Sequence, residues 1–227
     1  MKVVGVTPAG SVAFAAPLAH GQDPEVLAFE QGYAIERPLD ANRGPDLDIV
    51  LRLDLEPLSG QPRPQPRLRG LDRGLVLEEI DPVIRQRVAA YAVVVSDRGL
   101  LATEYSDRTA VAERWGMPGG GIDDHEEPDQ AVLREVAEET SQRIELGELI
   151  RIQTSHWIGR SPRAEIEDFH AIRLIYRGTC PAPTEPVVVD HGGTTESARW
   201  VPLPEWRQLR WTINWQQILG ELLRAGD

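Results

Sequence analysis

The residues best placed to do chemistry lie between Gly119 and Gln142. Glu135, Glu138 and Glu139 sit in a stretch with helical periodicity. At about 100° per residue they fall together on one arc, while Val132, Leu133, Val136 and Ala137 form an apolar face. Like charges three and four residues apart on a helix each cost roughly a few tenths of a kcal/mol, so this crowding is unfavourable unless something positive offsets it. A hard divalent cation would do so, because Mg²⁺ is held by a few carboxylates together with waters and substrate phosphate oxygens. The alternative is a solvated acidic face on a helix that packs by its apolar side.

The flanking residues say how such a helix would be positioned. Pro118 and the run Gly119-Gly120-Gly121 predict a loop whose backbone can approach another group closely. Asp124 or a neighbour is placed to cap the helix, Glu126 and Glu127 suit its positive end, and Pro128 is tolerated in the first turn. The full spacing is Gly120, five residues, Glu126, seven residues, then Arg134-Glu135-Val136-Ala137-Glu138-Glu139-Thr140-Ser141-Gln142. This stretch closely resembles the box of the Nudix (MutT-like) hydrolases, G-x5-E-x7-R-E-U-x-E-E-x-G-U with U a bulky aliphatic residue, and every charged position matches. Ser141 stands where that pattern has glycine, and Gln142 where it has an aliphatic residue. Glycine there would close the helix in a left-handed conformation, which serine adopts at a cost of around 1 kcal/mol.

The resemblance covers roughly residues 83–224 and implies an α/β/α sandwich around a mixed sheet. It also implies metal-dependent cleavage of a pyrophosphate bond, with Mg²⁺ or Mn²⁺ as cofactor. By position, the Gly119 carbonyl with Glu135, Glu138 and Glu139 matches the family's metal ligands, and Glu126 and Arg134 its orienting residues. Glu135 and Glu138 are the expected catalytic acids, Glu138 doubling as base, and Glu196, just ahead of Trp200, is a candidate auxiliary base. The expected substrate is a nucleoside triphosphate, ordinary, oxidised or otherwise non-canonical. The chain shows neither the downstream tyrosine of dinucleoside-polyphosphate enzymes nor the S-Q-P-W-P-F-P run of NADH enzymes. Pro162 lies loosely where ADP-ribose enzymes carry a proline, so ADP-ribose or a nucleotide sugar is the second expectation. A Nudix-like sensor that binds a nucleotide without cleaving it is the competing class.

Bulk properties narrow the setting. The 227 residues carry a formal net charge of -12, which argues against a nucleic-acid backbone as partner. It leaves a phosphate substrate open, since a bound metal inverts the local field. Cys180 is the only cysteine, so no internal disulfide or multi-cysteine zinc site forms, and a reducing cytoplasm is the expected location. No apolar run reaches the roughly eighteen residues of a membrane span.

In chain order, residues 1–58 read as a small β-rich module of short apolar runs: Val3 to Val6, Val12 to Ala16, Val26 to Phe29, and the alternating Ile49, Leu51, Leu53 and Leu55. A module this short covers its apolar face poorly, so it is expected to dock on the catalytic domain or on a second subunit, with a homodimer as one outcome. Residues 59–81, rich in proline and arginine, read as an extended linker, and 82–227 as the catalytic domain. Within that domain Arg87 to Val95 and Leu100 to Tyr105 predict a hairpin around Asp97-Arg98-Gly99. Ile144 to Ile152 and Phe169 to Tyr176 predict further strands, separated by a loop over Ser155 to Arg163. In that loop Trp157 is placed to stack on a base, and Arg160 or Arg163 to hold a phosphate. His125, His156, His170 and His191 show no metal-ligand spacing and receive no role. Glu196 to Leu203 reads as a closing strand, and Trp215, Ile218, Leu219, Leu222 and Leu223 repeat as a terminal helix.

Overall fold

The computed structural model describes residues 1–65, 70–161, 164–190 and 193–223. Pro162, Arg163 and His191 lie outside the described residues, as do four positions of the expected linker. In chain order the elements are β1 (Lys2–Val6), β2 (Val12–Pro17), α1 (Pro24–Glu30), β3 (Tyr33–Arg43), β4 (Ile49–Pro57), β5 (Gly70–Leu71) and β6 (Val83–Ser96). They continue with β7 (Gly99–Tyr105), β8 (Trp115–Gly116), β9 (Gly119–Gly121), α2 (Pro128–Thr140), β10 (Glu145–Arg160), β11 (Ile166–Thr179), β12 (Thr195–Val201) and α3 (Ile213–Leu222). Parallel and antiparallel pairs occur together, and the mixed-sheet α/β fold implied by the resemblance is present. The chain forms two compact units. One contains Met1–Ala90, Gly121–Pro128 and Glu148–Ile175, and the other Tyr91–Gly120, Asp129–Gly147 and Tyr176–Asp227.

The first unit contains a four-stranded sheet in the order β2-β1-β4-β3. Ile49, Leu51, Leu53 and Leu55 are buried at every second position of β4, as strand geometry requires of a half-covered sheet. Val26 to Phe29 is helix rather than strand. Asp23 caps it by accepting from the Glu25 N–H, and Pro24 has its φ already suited to the first turn. Arg43 at the end of β3 fastens this sheet to the segment ahead of α2: its Nε donates to the Glu126 carbonyl at 2.9 Å and its Nη2 to the Asp123 carbonyl at 2.9 Å. Its backbone N–H donates to the Glu127 carboxylate at 2.7 Å. Two further features of this unit were not expected. Within the supposed linker, Gly70–Leu71 forms a strand parallel to Trp157 and Ile158. That pairing, with β11 on the other side of β10, satisfies backbone groups over Ser155 to Arg160, so β10 runs on to Arg160 where a loop was expected.

In the second unit β7 lies between β12 and the C-terminal part of β6, with β8 paired to β7. The hairpin around Gly99 is as expected. The three glycines form the short strand β9, not a loop, and the preceding Pro118 carbonyl accepts the Ala92 N–H at 3.0 Å. Thr212 caps α3 by accepting from Trp215 N–H, and α3 buries Trp215, Ile218 and Leu219. The buried face of α2 differs from the expected one. Ala131, Val132, Val136, Glu139 and Thr140 are buried, whereas Leu133 is 41% exposed and Ala137 faces solvent. The core stripe is rotated toward the acidic arc and takes Glu139 inside.

The end of α2 accounts for both departures from the box pattern. Ser141 adopts the left-handed conformation (φ 57°) that the pattern's glycine would adopt, and its Oγ donates to the Val187 carbonyl at 2.7 Å. Gln142 is buried. Its Nε2 donates to the Thr140 carbonyl at 3.1 Å and to Thr184 Oγ1 at 3.0 Å, and its Oε1 accepts the Thr184 N–H at 2.9 Å. Backbone bonds continue the contact, Val187 N–H to the Thr140 carbonyl and Val189 N–H to the Glu138 carbonyl. The segment 184–190 is thereby laid against the last turn of α2. Losing these side-chain bonds should cost on the order of 1 kcal/mol. Gln142→Leu is thus expected to lower the unfolding free energy by that amount, seen as a lower urea midpoint at unchanged m-value, and to speed amide exchange at Thr184. Ser141→Gly should change stability little, since relief of the left-handed strain and loss of the hydroxyl bond are of similar size.

Candidate active site

The candidate site is built from β9 and the second half of α2. Gly119 has φ 144°, a region that disfavours a side chain, and its N–H donates to Glu139 Oε2 at 2.9 Å. A Cβ on Gly120 would sit 2.5 Å from Glu135 Oε1, so the bare backbone is what lets that carboxylate come close. Helical spacing then sets the acids in graded environments. The Glu139 residue is 8% exposed, and the Glu135 and Glu138 side chains 17% and 45%.

Glu139 is the most constrained of the three. Its two oxygens are held by neutral donors, the Gly119 N–H and the Thr195 hydroxyl. Burial raises its pKa from 4.5 to about 7; these two hydrogen bonds pull against the rise, and the nearby Glu135 and Asp190 charges add to it. Arg134 Nη1 lies 2.9 Å from Glu135 Oε1 and 3.1 Å from Glu138 Oε2, offsetting two carboxylates by a single charge. A carboxylate nine-tenths buried among like charges and held by neutral donors requires either a proton or a cation. Together with the space that Gly120 leaves beside Glu135, this donor set fits a hard divalent ion.

Other expected site residues fall as follows. Glu126 accepts the Asp123 N–H on its own Oε2 at 3.0 Å, bracing the turn ahead of α2 in the first unit. Glu196 is exposed and sits at a register shift between Thr195 and Ser197, on the wall of a cleft lined also by Pro186, Val188 and Asp190. The β12 residue that contacts the buried acid is its neighbour Thr195. In the first unit Trp157 stacks on Phe169, with centroids 4.6 Å apart and planes at 29°. The Arg160 N–H donates to Asp72 Oδ2 at 2.9 Å. The sequence reading missed Thr195 and Asp190. Adjacency to Glu196 in the predicted closing strand was the available signal for Thr195, while Asp190 lies in a stretch without periodicity.

A family model of the NUDIX domain matches residues 85–220. The chain belongs to the Nudix hydrolase family. Members of this family use a divalent metal. Over 40 residues the chain is 48% identical to mouse (Mus musculus) diphosphoinositol polyphosphate phosphohydrolase 3-alpha, and equally to 3-beta. That match covers 18% of this chain and 24% of the length of each mouse protein. Among solved structures, the Nudix chain is similar to a MutT protein from Methanosarcina mazei Go1, at 17% identity and TM-score 0.49 over 65% of this chain and 99% of that one. It is also similar to the NUDIX domain of Shewanella oneidensis NrtR, solved with ADP ribose, at 22% identity and TM-score 0.47 over 66% and 96% of the two chains.

The raised pKa of Glu139 fixes a sign. In the metal-free Nudix protein the folded state holds the Glu139 proton more tightly than the unfolded chain does. The associated stability is present below pH 4.5, is lost as pH rises to about 7, and stays lost above it. Its size is on the order of 3 kcal/mol. Thermal melts of chelator-treated protein should show this decline, Glu139→Gln should abolish it, and added Mn²⁺ should stabilise more at pH 8 than at pH 5.

Proposed function

We propose that the protein hydrolyses the pyrophosphate bond of a nucleoside diphosphate linked to another group. The proposed substrate is a nucleoside triphosphate, intact or oxidised, and the products are a nucleoside monophosphate and pyrophosphate. The observation that carries this reading is Glu139, a buried carboxylate that neutral donors hold ready for a cation. The Gly119 carbonyl, Glu135, Glu138 and Glu139 would hold Mg²⁺ or Mn²⁺. Such an ion, when bound, lowers the pKa of a water and neutralises phosphate charge.

This chain's residues then divide the remaining work. Arg134 positions Glu135 and Glu138, which it already bridges. Glu138, the most exposed of the three, accepts the proton of the attacking water. The water oxygen bonds to phosphorus as the bridging P–O bond breaks, and the electron pair leaves on pyrophosphate. Glu196 is the auxiliary base, Glu126 braces the approach to α2, and Trp157 and Arg160 contact base and phosphate. Residues 82–227 are proposed as the Nudix domain, 59–81 as a linker and 1–58 as an added module, in a cytoplasmic protein able to dimerise. Among the described residues no helix is long and apolar enough to cross a membrane.

A panel of nucleoside triphosphates, ADP-ribose, a nucleotide sugar and a diphosphoinositol polyphosphate, for which the mouse relatives are named, tests the proposal in Mg²⁺ with the products resolved. Monophosphate plus pyrophosphate is expected. Binding without turnover would make the protein a sensor, and orthophosphate as sole product would contradict the reaction. Glu138→Gln and Glu139→Gln should fold yet lose at least about two orders of magnitude in rate, each tenfold corresponding to about 1.4 kcal/mol. Trp157→Ala should raise KM more than it lowers kcat.

A further inference from the structure

A cluster with no part in the Nudix box lies in the first unit, where His20, His156, His170 and Asp168 come together. We propose that His20, His156 and Asp168 form a second metal site, for a zinc-class ion. Neither His156 nor His170 received a role from sequence spacing, because the ligands come from distant positions: the turn before α1, β10 and β11. Asp168 Oδ1 lies 2.9 Å from His20 Nε2 and 2.5 Å from His156 Nε2, so two imidazoles converge on one carboxylate oxygen. One ligand atom from each residue lies within 4.8 Å of the others. Imidazole nitrogen with carboxylate oxygen suits Zn²⁺, Co²⁺ or Fe²⁺, whereas Mg²⁺ takes oxygen ligands. Donor atoms around a tetrahedral zinc stand about 3.3 Å apart, so each of the two imidazole nitrogens would move away from Asp168 Oδ1 by less than about 1 Å to admit an ion in place of the bridging protons.

The surroundings are built to hold these groups. Asp23 Oδ2 accepts from Thr154 Oγ1 at 2.5 Å, pinning the turn that carries His20 to β10. Gly21 (φ 73°) lies so close to His156 that a Cβ there would be 2.6 Å from the ring. His170 is wholly buried with its centroid 5.6 Å from that of His20 and 6.0 Å from that of His156. Among the described residues, His20 Nδ1 and His170 Nε2 are buried without a hydrogen-bond partner, which leaves polar capacity in the cluster unused. Because His20 belongs to the N-terminal segment and the other ligands to β10 and β11, a bound ion would clamp that segment in place. A three-residue donor set also leaves a fourth position for water.

The test uses the full-length protein, stripped with chelator and titrated with Zn²⁺ by calorimetry and with Co²⁺ by visible absorption. We expect one zinc equivalent retained in Glu139→Gln, and the intense ligand-field bands of a four- or five-coordinate nitrogen-ligated Co²⁺. Carboxylate-bound six-coordinate Co²⁺ would give only weak bands. His20→Gln and His156→Ala should weaken zinc binding by roughly 100-fold or more and remove the rise in Tm that zinc confers. Unchanged affinity in His20→Gln would overturn the proposal. If a variant fails to fold, the wild-type Co²⁺ spectrum decides by itself: without intense bands, the cluster is a hydrogen-bonded charge network and the proposal falls.

Discussion

The structure of the candidate active site depends on one unfavourable fact, a carboxylate placed where the core should be. Glu139 lies on the buried stripe of α2 with Val132 and Val136, near the charges of Glu135 and Asp190. A lone buried carboxylate would be forced to take up a proton. Two donors temper this, and both are supplied by elements that must be fixed in place, Gly119 of β9 and Thr195 of β12. Neither donor brings charge, so the carboxylate still requires a proton or a cation.

The features around Glu139 follow from that requirement. Glycines in β9 let backbone and the Glu135 carboxylate meet without a Cβ between them. Arg134 balances the two outer acids. Beyond Thr140 the helix stops in a left-handed serine, and the polar Gln142 secures segment 184–190, bringing Asp190 toward the same acid. At the other end Arg43 ties the N-terminal sheet to the carbonyls of Asp123 and Glu126.

Much of this was legible in the sequence, since it rests on local rules. Alternation in β4, the hairpin around Gly99 and the spacing of the box residues are short-range signals, and each led to the right element. Burial of Glu139 was not legible, because helical periodicity assigns an acid to the polar face unless the neighbouring strands are known. The same limit hid the turn-to-helix character of Val26 to Phe29, where an Asp-Pro start outweighed a short apolar run. It also hid the length of β10, which depends on pairing with Gly70–Leu71 far away in the chain. The histidine cluster was the least accessible, as its members are separated by up to 150 positions and meet only through the fold.

Anomalous diffraction from a crystal soaked in Mn²⁺ tests the central claim, that the buried acid of α2 exists to hold a divalent ion. The account predicts a manganese peak within about 2.2 Å of a Glu139 oxygen, with Glu135 and the Gly119 carbonyl in the same coordination shell. A saturating soak that leaves Glu139 bound only to the Gly119 N–H and the Thr195 hydroxyl, with no peak beside it, would contradict it.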